Sequence, residues 1–162
     1  MLIIMAGYPK SGKSTFLDIL KKSIPQLIIV RPSDWYPPDL DSMPNPMEYK
    51  LASWEYAVEK AQDLLMANSV ALDTCGASPN SLGVLIESAK MHKHKVYVIF
   101  IDTPFKICAD RGGHDIVAGY TKKFIAAIPE YKSRCDRMYV VKYDTIQNWE
   151  IVAKKMAGEL CI

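Results

Sequence analysis

Gly7-Tyr8-Pro9-Lys10-Ser11-Gly12-Lys13-Ser14, followed by Thr15, decides how the rest of this chain is read. The spacing is G-x-x-x-x-G-K-S, the Walker A pattern. Its glycines permit backbone angles that turn successive N–H groups into one concavity, where a phosphate can sit. Lys13 is expected to reach the β- and γ-phosphates and Ser14 to hold Mg²⁺ through its hydroxyl. The helix beginning at Lys13 adds the positive end of its dipole. Residues 7–15 are therefore expected to bind ATP: Gly7, Tyr8, Pro9, Lys10, Ser11, Gly12, Lys13, Ser14 and Thr15.

The flanks supply the context this pattern requires. Leu2 to Ala6 is a short apolar run suited to a buried parallel strand. Lys13 to Ser23 reads as a helix, and Leu27 to Val30 as a second strand. The prolines of residues 32–46 predict a loop with neither helix nor ladder. Asn45 as N-cap, Pro46 at N1 and Glu48 at N3 predict a helix start. Met47, Leu51, Trp54, Val58, Ala61 and Leu65 would form its apolar face. Further strands are expected at Ser69–Leu72, Lys95–Ile101 and Met138–Val141. Helices are expected at Ser78–Lys90, from Thr103-Pro104 to Arg111, over 121–137 with a possible break at Pro129, and after an Asp144 cap with Gln147 at N3. Residues 112–120 read as a loop. Strands alternating with helices predict a three-layer α/β/α sandwich around a five-stranded parallel sheet. Residues 1–162 would be a single domain, with a small helical lid over roughly 111–137.

Composition excludes several classes. The chain has 162 residues, 49 % apolar and 23 % charged, which is globular and neither disordered nor fibrous. No apolar run approaches the length of a membrane span, and the first residues do not read as a signal peptide. The scattered Cys75, Cys108, Cys135 and Cys161 read as reduced thiols of a cytoplasmic protein. Net charge is only +2, but it is unevenly spread: residues 90–142 hold 11 basic and 5 acidic side chains. That stretch reads either as solvated helix faces or as a phosphate-facing lid.

Three further residues invite chemical roles. Asp73 ends the third strand, where a carboxylate can hold Mg²⁺; a cap or turn is the alternative. Asp34 follows the second strand, and parallel sheets place such carboxyl ends at the ligand crevice. It could take the proton of an acceptor hydroxyl, or only cap a turn with Ser33. Arg111 could close over phosphates, or answer a helix C-terminus. Lys122, Lys123, Arg134 and Arg137 read as surface. His92 and His94 read as solvated, and His114 as a loop residue. Trp35 and Tyr36 suggest a stacking wall for the acceptor, or residues that pack the proline-rich loop onto the domain.

Taken together, the loop with Ser14-Thr15, Asp34 after strand two, Asp73-Thr74 at strand three and Asp102-Thr103-Pro104-Phe105-Lys106-Ile107-Cys108-Ala109-Asp110-Arg111 resemble the polynucleotide-kinase-like P-loop kinases, many of them phage-encoded. The resemblance spans roughly residues 2–143. It implies ATP and Mg²⁺ on Lys13 and Ser14, Asp34 as general base, Arg111 as lid arginine, and Asp73 beside the metal and acceptor. It implies a hydroxyl on DNA as acceptor, with the hydroxymethyl group of 5-hydroxymethyluracil among the options, and the host cytoplasm as location for a phage protein. Two departures matter. Trp35-Tyr36-Pro37-Pro38 stands where the family often has an acceptor arginine, and Gly112-Gly113-His114-Asp115 where a second lid arginine is common.

Other readings stay open. A small-molecule or nucleoside/nucleotide kinase fits size and fold, although residues 32–68 supply no arginine for a monophosphate. A GTPase-like switch would use Asp73-Thr74-Cys75-Gly76, but no N-K-x-D motif occurs. A nucleotide-binding protein without transfer activity is the third.

Overall fold

The computed structural model describes residues 1–76, 82–112, 114–143 and 148–160, with the side chains of residues 121, 122, 124 and 125 left out. Five parallel strands form one sheet: β1 (Leu2–Ala6), β2 (Ile28–Val30), β3 (Val70–Leu72), β4 (Val96–Asp102) and β5 (Arg137–Lys142). Their order is β2-β3-β1-β4-β5, with Leu2 of β1 opposite Val70 on one side and Val96 on the other. The helices are α1 (Lys13–Ser23), α2 (Pro46–Leu65), α3 (Gly83–Met91), α4 (Phe105–Gly112), α5 (His114–Arg134) and α6 (Trp149–Leu160).

β1 is buried along its whole length because both faces of the sheet are covered. Successive side chains point to opposite faces. Ile3 and Met5 pack with Phe16, Leu17 and Leu20 of α1 and Trp149 and Ala153 of α6. Leu2, Ile4 and Ala6 pack with Ala57 and Ala61 of α2, Leu85 and Ile86 of α3, and Ala127 and Tyr131 of α5. The result is the expected three-layer sandwich.

The strands and α1 fall where the sequence places them, within a residue or two at each end. Four expectations change. The proline-rich stretch is not wholly irregular: Pro32–Trp35 and Leu40–Ser42 are short 3-10 turns. Proline is compatible with the first position of such a turn, where its missing N–H has no partner to lose. α2 begins at Pro46 as expected, yet the Asn45 side chain makes no capping hydrogen bond. Its buried face is the ridge Ser53, Ala57, Ala61 and Leu65, while Met47 and Leu51 are 73 % and 58 % exposed. Small residues four apart let the helix approach the sheet closely; of the expected face, Trp54 and Val58 pack against the core and Ala61 and Leu65 lie in it, so only its first turns depart. Finally, residues 114–120 are helix, not loop, and Pro129 lies inside α5 without ending it. The expected cap at Asp144 and Gln147, the helix start at Ser78-Pro79, and Cys161 lie outside the described residues.

The connections after β1 and β3 leave toward opposite faces of the sheet: α1 joins the cluster around Ile3, and α3 the cluster around Ile4. A crevice opens between two such strands at their carboxyl ends. The Walker A loop and Asp73 both lie there.

Candidate nucleotide and acceptor site

The loop after β1 is held in a conformation that its sequence makes possible. Gly7 has φ +140° and Gly12 φ +97°. A Cβ on Gly7 would lie 2.8 Å from the Ile101 carbonyl oxygen, and one on Gly12 would lie 2.8 Å from the Trp149 ring. Lys10 also has positive φ, at 63°, which is uncommon for a residue with a side chain. Neighbouring strands brace the loop. The Gly7 N–H donates to the Cys75 carbonyl at 3.0 Å, and the Thr103 hydroxyl donates to the Ser11 carbonyl at 2.7 Å. Both Ser11 and Thr103 are buried.

Lys13 is buried and curls over the loop. Its Nζ donates to the Tyr8 carbonyl at 2.6 Å and the Gly7 carbonyl at 3.1 Å. Burial pulls its pKa below the ordinary lysine value, and nearby Cys75, Asp73 and Cys108 oppose that pull. Burial in turn pushes the Cys75 thiol up, with Lys13 opposing. Ser14 and Thr15 are exposed at the start of α1.

Lys13 and Ser14 share a cavity of about 390 Å³ with Pro9, Lys10, Pro32, Ser33, Tyr36, Trp54, Asp73, Thr74, Cys75 and Tyr120. Asp73, at the carboxyl end of β3, has a side chain only 7 % exposed. Arg31 Nε contacts its carboxylate at 3.2 Å, and the same guanidinium also pairs with Asp18 of α1. The carboxylate is thus oriented by an arginine whose charge is already shared between two acids.

The expected acceptor residues divide. Tyr36 lines the cavity; Asp34 and Trp35 do not. The backbone forms a 3-10 turn over Pro32–Trp35 and becomes extended at Tyr36. Ser33 and Tyr36 take the cavity side, and Asp34 is left exposed. Trp35 instead meets the Tyr56 ring of α2 edge-on at 4.9 Å, and the Ser53 hydroxyl donates to its carbonyl at 3.2 Å. Trp35 therefore packs the loop onto α2, the second of the two roles open to it in sequence.

Arg111 reaches the other side of the loop. It lies near the end of α4, with Nη1 3.4 Å from the Lys10 carbonyl oxygen and Nη2 3.2 Å from the Tyr143 hydroxyl. Phe105 of α4 meets Tyr8 edge-on at 6.0 Å, so this helix is docked directly on the Walker A loop. His114 stacks edge-on against Phe105 at 5.3 Å at the start of α5, where a loop was expected.

The basic stretch 90–142 does not form one phosphate-facing lid. Lys90, Lys93, Lys95, Arg134 and Arg137 sit where helices hand over to the starts of β4 and β5, at the opposite end of the sheet from the Walker A loop. His92 is exposed, but His94 is half-buried with Nε2 against the Leu65 carbonyl at 2.5 Å. It is a structural histidine and not a solvated one. The Lys122 side chain lies outside the described residues.

Sequence reasoning does not place four residues in the cavity. Trp54 is readable only as core; it does touch the core, but it also faces the cavity. Tyr120 lies in a stretch that reads as loop, although Val117, Tyr120, Ala127 and Tyr131 step at helical spacing. Thr74 and Cys75 follow Asp73 directly and enter the sequence reading only within the Asp73-Thr74 and Asp73-Thr74-Cys75-Gly76 patterns, with no role as cavity lining.

No protein-family model and no curated protein matches the sequence. The fold has known counterparts. A candidate kinase from Chloroflexus aurantiacus superposes with a TM-score of 0.70 at 12 % identity, covering 98 % of this chain and 94 % of that one. A gluconokinase from Sinorhizobium meliloti gives 0.60 at 14 % identity, with the same coverage. The fold is thus the P-loop kinase-like α/β sandwich. Among the described residues, no helix is long and apolar enough to cross a membrane.

Proposed function

We propose that this protein is an ATP-dependent phosphotransferase that phosphorylates a hydroxyl of a small molecule. The observation that carries the reading is the shared cavity, which brings Lys13 and Ser14 of the Walker A loop together with Asp73 and a set of aromatic and hydroxyl side chains. The loop fits a nucleotide's phosphates: its glycine backbone leaves no room for Cβ atoms, and Lys13 holds its ammonium against the loop's own carbonyls.

Ser14 would hold Mg²⁺, with Asp73 beside it, and the bound ion would neutralise phosphate charge. In the transfer, a bond forms between the acceptor oxygen and the γ-phosphorus as the β–γ bridging bond breaks and ADP leaves. Lys13 stabilises charge on the moving phosphoryl group. Asp73 takes the acceptor's proton, being the carboxylate among the described lining residues. Arg31 positions it. Arg111 joins from the Lys10 side when α4 and the start of α5 act as a lid, which would exclude water from the phosphoryl group. The assignment of the proton to Asp34 has less support, since that side chain lies outside the cavity lining.

A hydroxyl on DNA, including 5-hydroxymethyluracil, is the less supported acceptor. Residues 32–49 flank the cavity with Asp34, Asp39, Asp41 and Glu48 and no lysine or arginine, a poor neighbour for a polyanion.

The test is transfer from γ-labelled ATP to a panel of small alcohols, with Lys13→Met beside the wild type. Wild-type label in an acceptor, lowered at least about a hundredfold in Lys13→Met, is expected. Equal transfer by both proteins would remove the Walker A loop from the chemistry.

A further inference from the structure

The half of the cavity away from the Walker A loop has a distinctive chemistry. Tyr36 directly follows the 3-10 turn, Trp54 comes from α2 and Tyr120 from α5, and the three converge on one space. Pro32 adds a further flat apolar surface, and Ser33 and Thr74 add hydroxyls. Among the described residues, the cations lining the cavity are Lys10 and Lys13, both of the phosphate loop. Arg31 is occupied by Asp73 and Asp18. Lys123 lies over the Tyr120 ring, 5.6 Å from its centre, without lining the cavity.

We infer that the acceptor is an uncharged alcohol carrying a planar ring, of about nucleoside size, held by stacking among Tyr36, Trp54 and Tyr120. This inference rests on the kinase reading above and deepens it. An acceptor with its own phosphate or carboxylate would enter a space that offers it Asp73 and neutral phenols. Burial raises the pKa of both Tyr36 and Tyr120, so each stays protonated. A desolvated anion without a cation partner is strongly disfavoured. Aromatic faces instead reward a flat ring and tolerate its identity. The cleft, about 390 Å³, is of the size that small-molecule sites take. Lys90, Lys93, Lys95, Arg134 and Arg137, a large part of the basic surface a nucleic acid would need, lie at the other end of the sheet.

The experiment has three arms. ATP binding is measured first, by equilibrium titration. Transfer from γ-labelled ATP is then compared across thymidine and other nucleosides, thymidine monophosphate, gluconate, glycerol and a 5′-hydroxyl oligonucleotide. Finally, acceptor KM is measured for Tyr36→Ala, Tyr120→Ala and the matching Tyr→Phe variants, with Ser33→Arg to supply the missing cation.

The expected result is label on a nucleoside, with kcat/KM at least about tenfold above that of its monophosphate. Each Tyr→Ala variant should raise acceptor KM about tenfold while ATP affinity holds, each Tyr→Phe should keep it, and Ser33→Arg should narrow the gap to the monophosphate. Preference for the monophosphate, gluconate, glycerol or the oligonucleotide overturns the inference. So does label on no ring-bearing neutral alcohol, or an unchanged KM in both Tyr→Ala variants. When ATP still binds in those cases, the kinase reading survives; a wild-type protein that binds no ATP brings down both.

Discussion

The two ends of the sheet differ in how they treat charge. At the amino end, cations are numerous and paired. Lys95 lies 3.3 Å from Asp136, Arg134 is 2.9 Å from Glu130 and 3.7 Å from Glu87, and Arg137 is 3.0 Å from Glu159. At the carboxyl end, Lys13 is buried on backbone carbonyls, and the backbone around it takes positive φ at Gly7, Lys10, Gly12 and Gly76. The first arrangement satisfies its charges locally. The second holds a charge beside an open cavity, at a conformational cost that only the surrounding strands sustain. Charge summed along the sequence therefore mixes the two ends: Lys90, Lys93, Lys95, Arg134 and Arg137 lie at the amino end, Lys106, Arg111 and Lys142 at the carboxyl end.

The largest effect expected within this comparison concerns the two aspartates. Asp73→Asn should lower transfer by about a hundredfold or more, with ATP binding retained, because it removes the carboxylate facing the cavity. Asp34→Asn should change turnover by no more than about threefold, since the side chain is exposed outside the lining. Steady-state kinetics on both variants decides the matter. The reverse ranking would show that the 3-10 turn rotates on substrate binding and carries Asp34 inward.

Glycines sharpen the contrast next. Gly12→Ala places a Cβ against Trp149 at a φ that alanine avoids, so both loop and core must shift. A loss of about 2 kcal/mol or more is expected, read as a fall in denaturation midpoint together with lost ATP binding. Gly119 sits in α5, and a Cβ added there would meet nothing within 4 Å. Gly119→Ala should stabilise the protein by roughly 0.5–1 kcal/mol through helix propensity alone.

How much was legible in sequence follows the same division. The strands, their parallel direction and the Walker A loop are legible in sequence from apolar runs, alternation with helices, glycine spacing and a lysine at a helix start; the strand order is not. The acceptor half is assembled from the 3-10 turn, α2, β3 and α5, and no local pattern announces that Tyr36, Trp54 and Tyr120 meet. Which of Ser33, Asp34, Trp35 and Tyr36 faces inward depends on a short 3-10 turn and the extended residue that follows it, neither of which the prolines announce. A reading of that stretch as loop cannot assign faces. The same holds for α5, where glycines at 112, 113 and 119 suggest a loop although the apolar spacing continues through them.

The smallest effect on activity is expected from the amino end, and it bears on the comparison most directly. Lys93→Glu with Lys95→Glu reverses two charges of the basic surface, far from the cavity. Transfer to a small acceptor should stay within about twofold at low and high salt, because screening leaves little field at that distance. What this end contributes is stability. Asp136 accepts the Val96 N–H at 2.8 Å, and that bond, more than the nearby Lys95, holds its pKa below the ordinary carboxylate value of 3.8. A depressed folded-state pKa stabilises the protein above the unfolded carboxylate's pKa, and the contribution fades as pH falls through the folded value. Asp136→Asn should therefore be less stable than wild type near neutral pH, and the gap should narrow in acid. Urea midpoints measured across that range check it: a gap that stays constant with pH would assign the role of Asp136 to shape and hydrogen bonding and not to its charge.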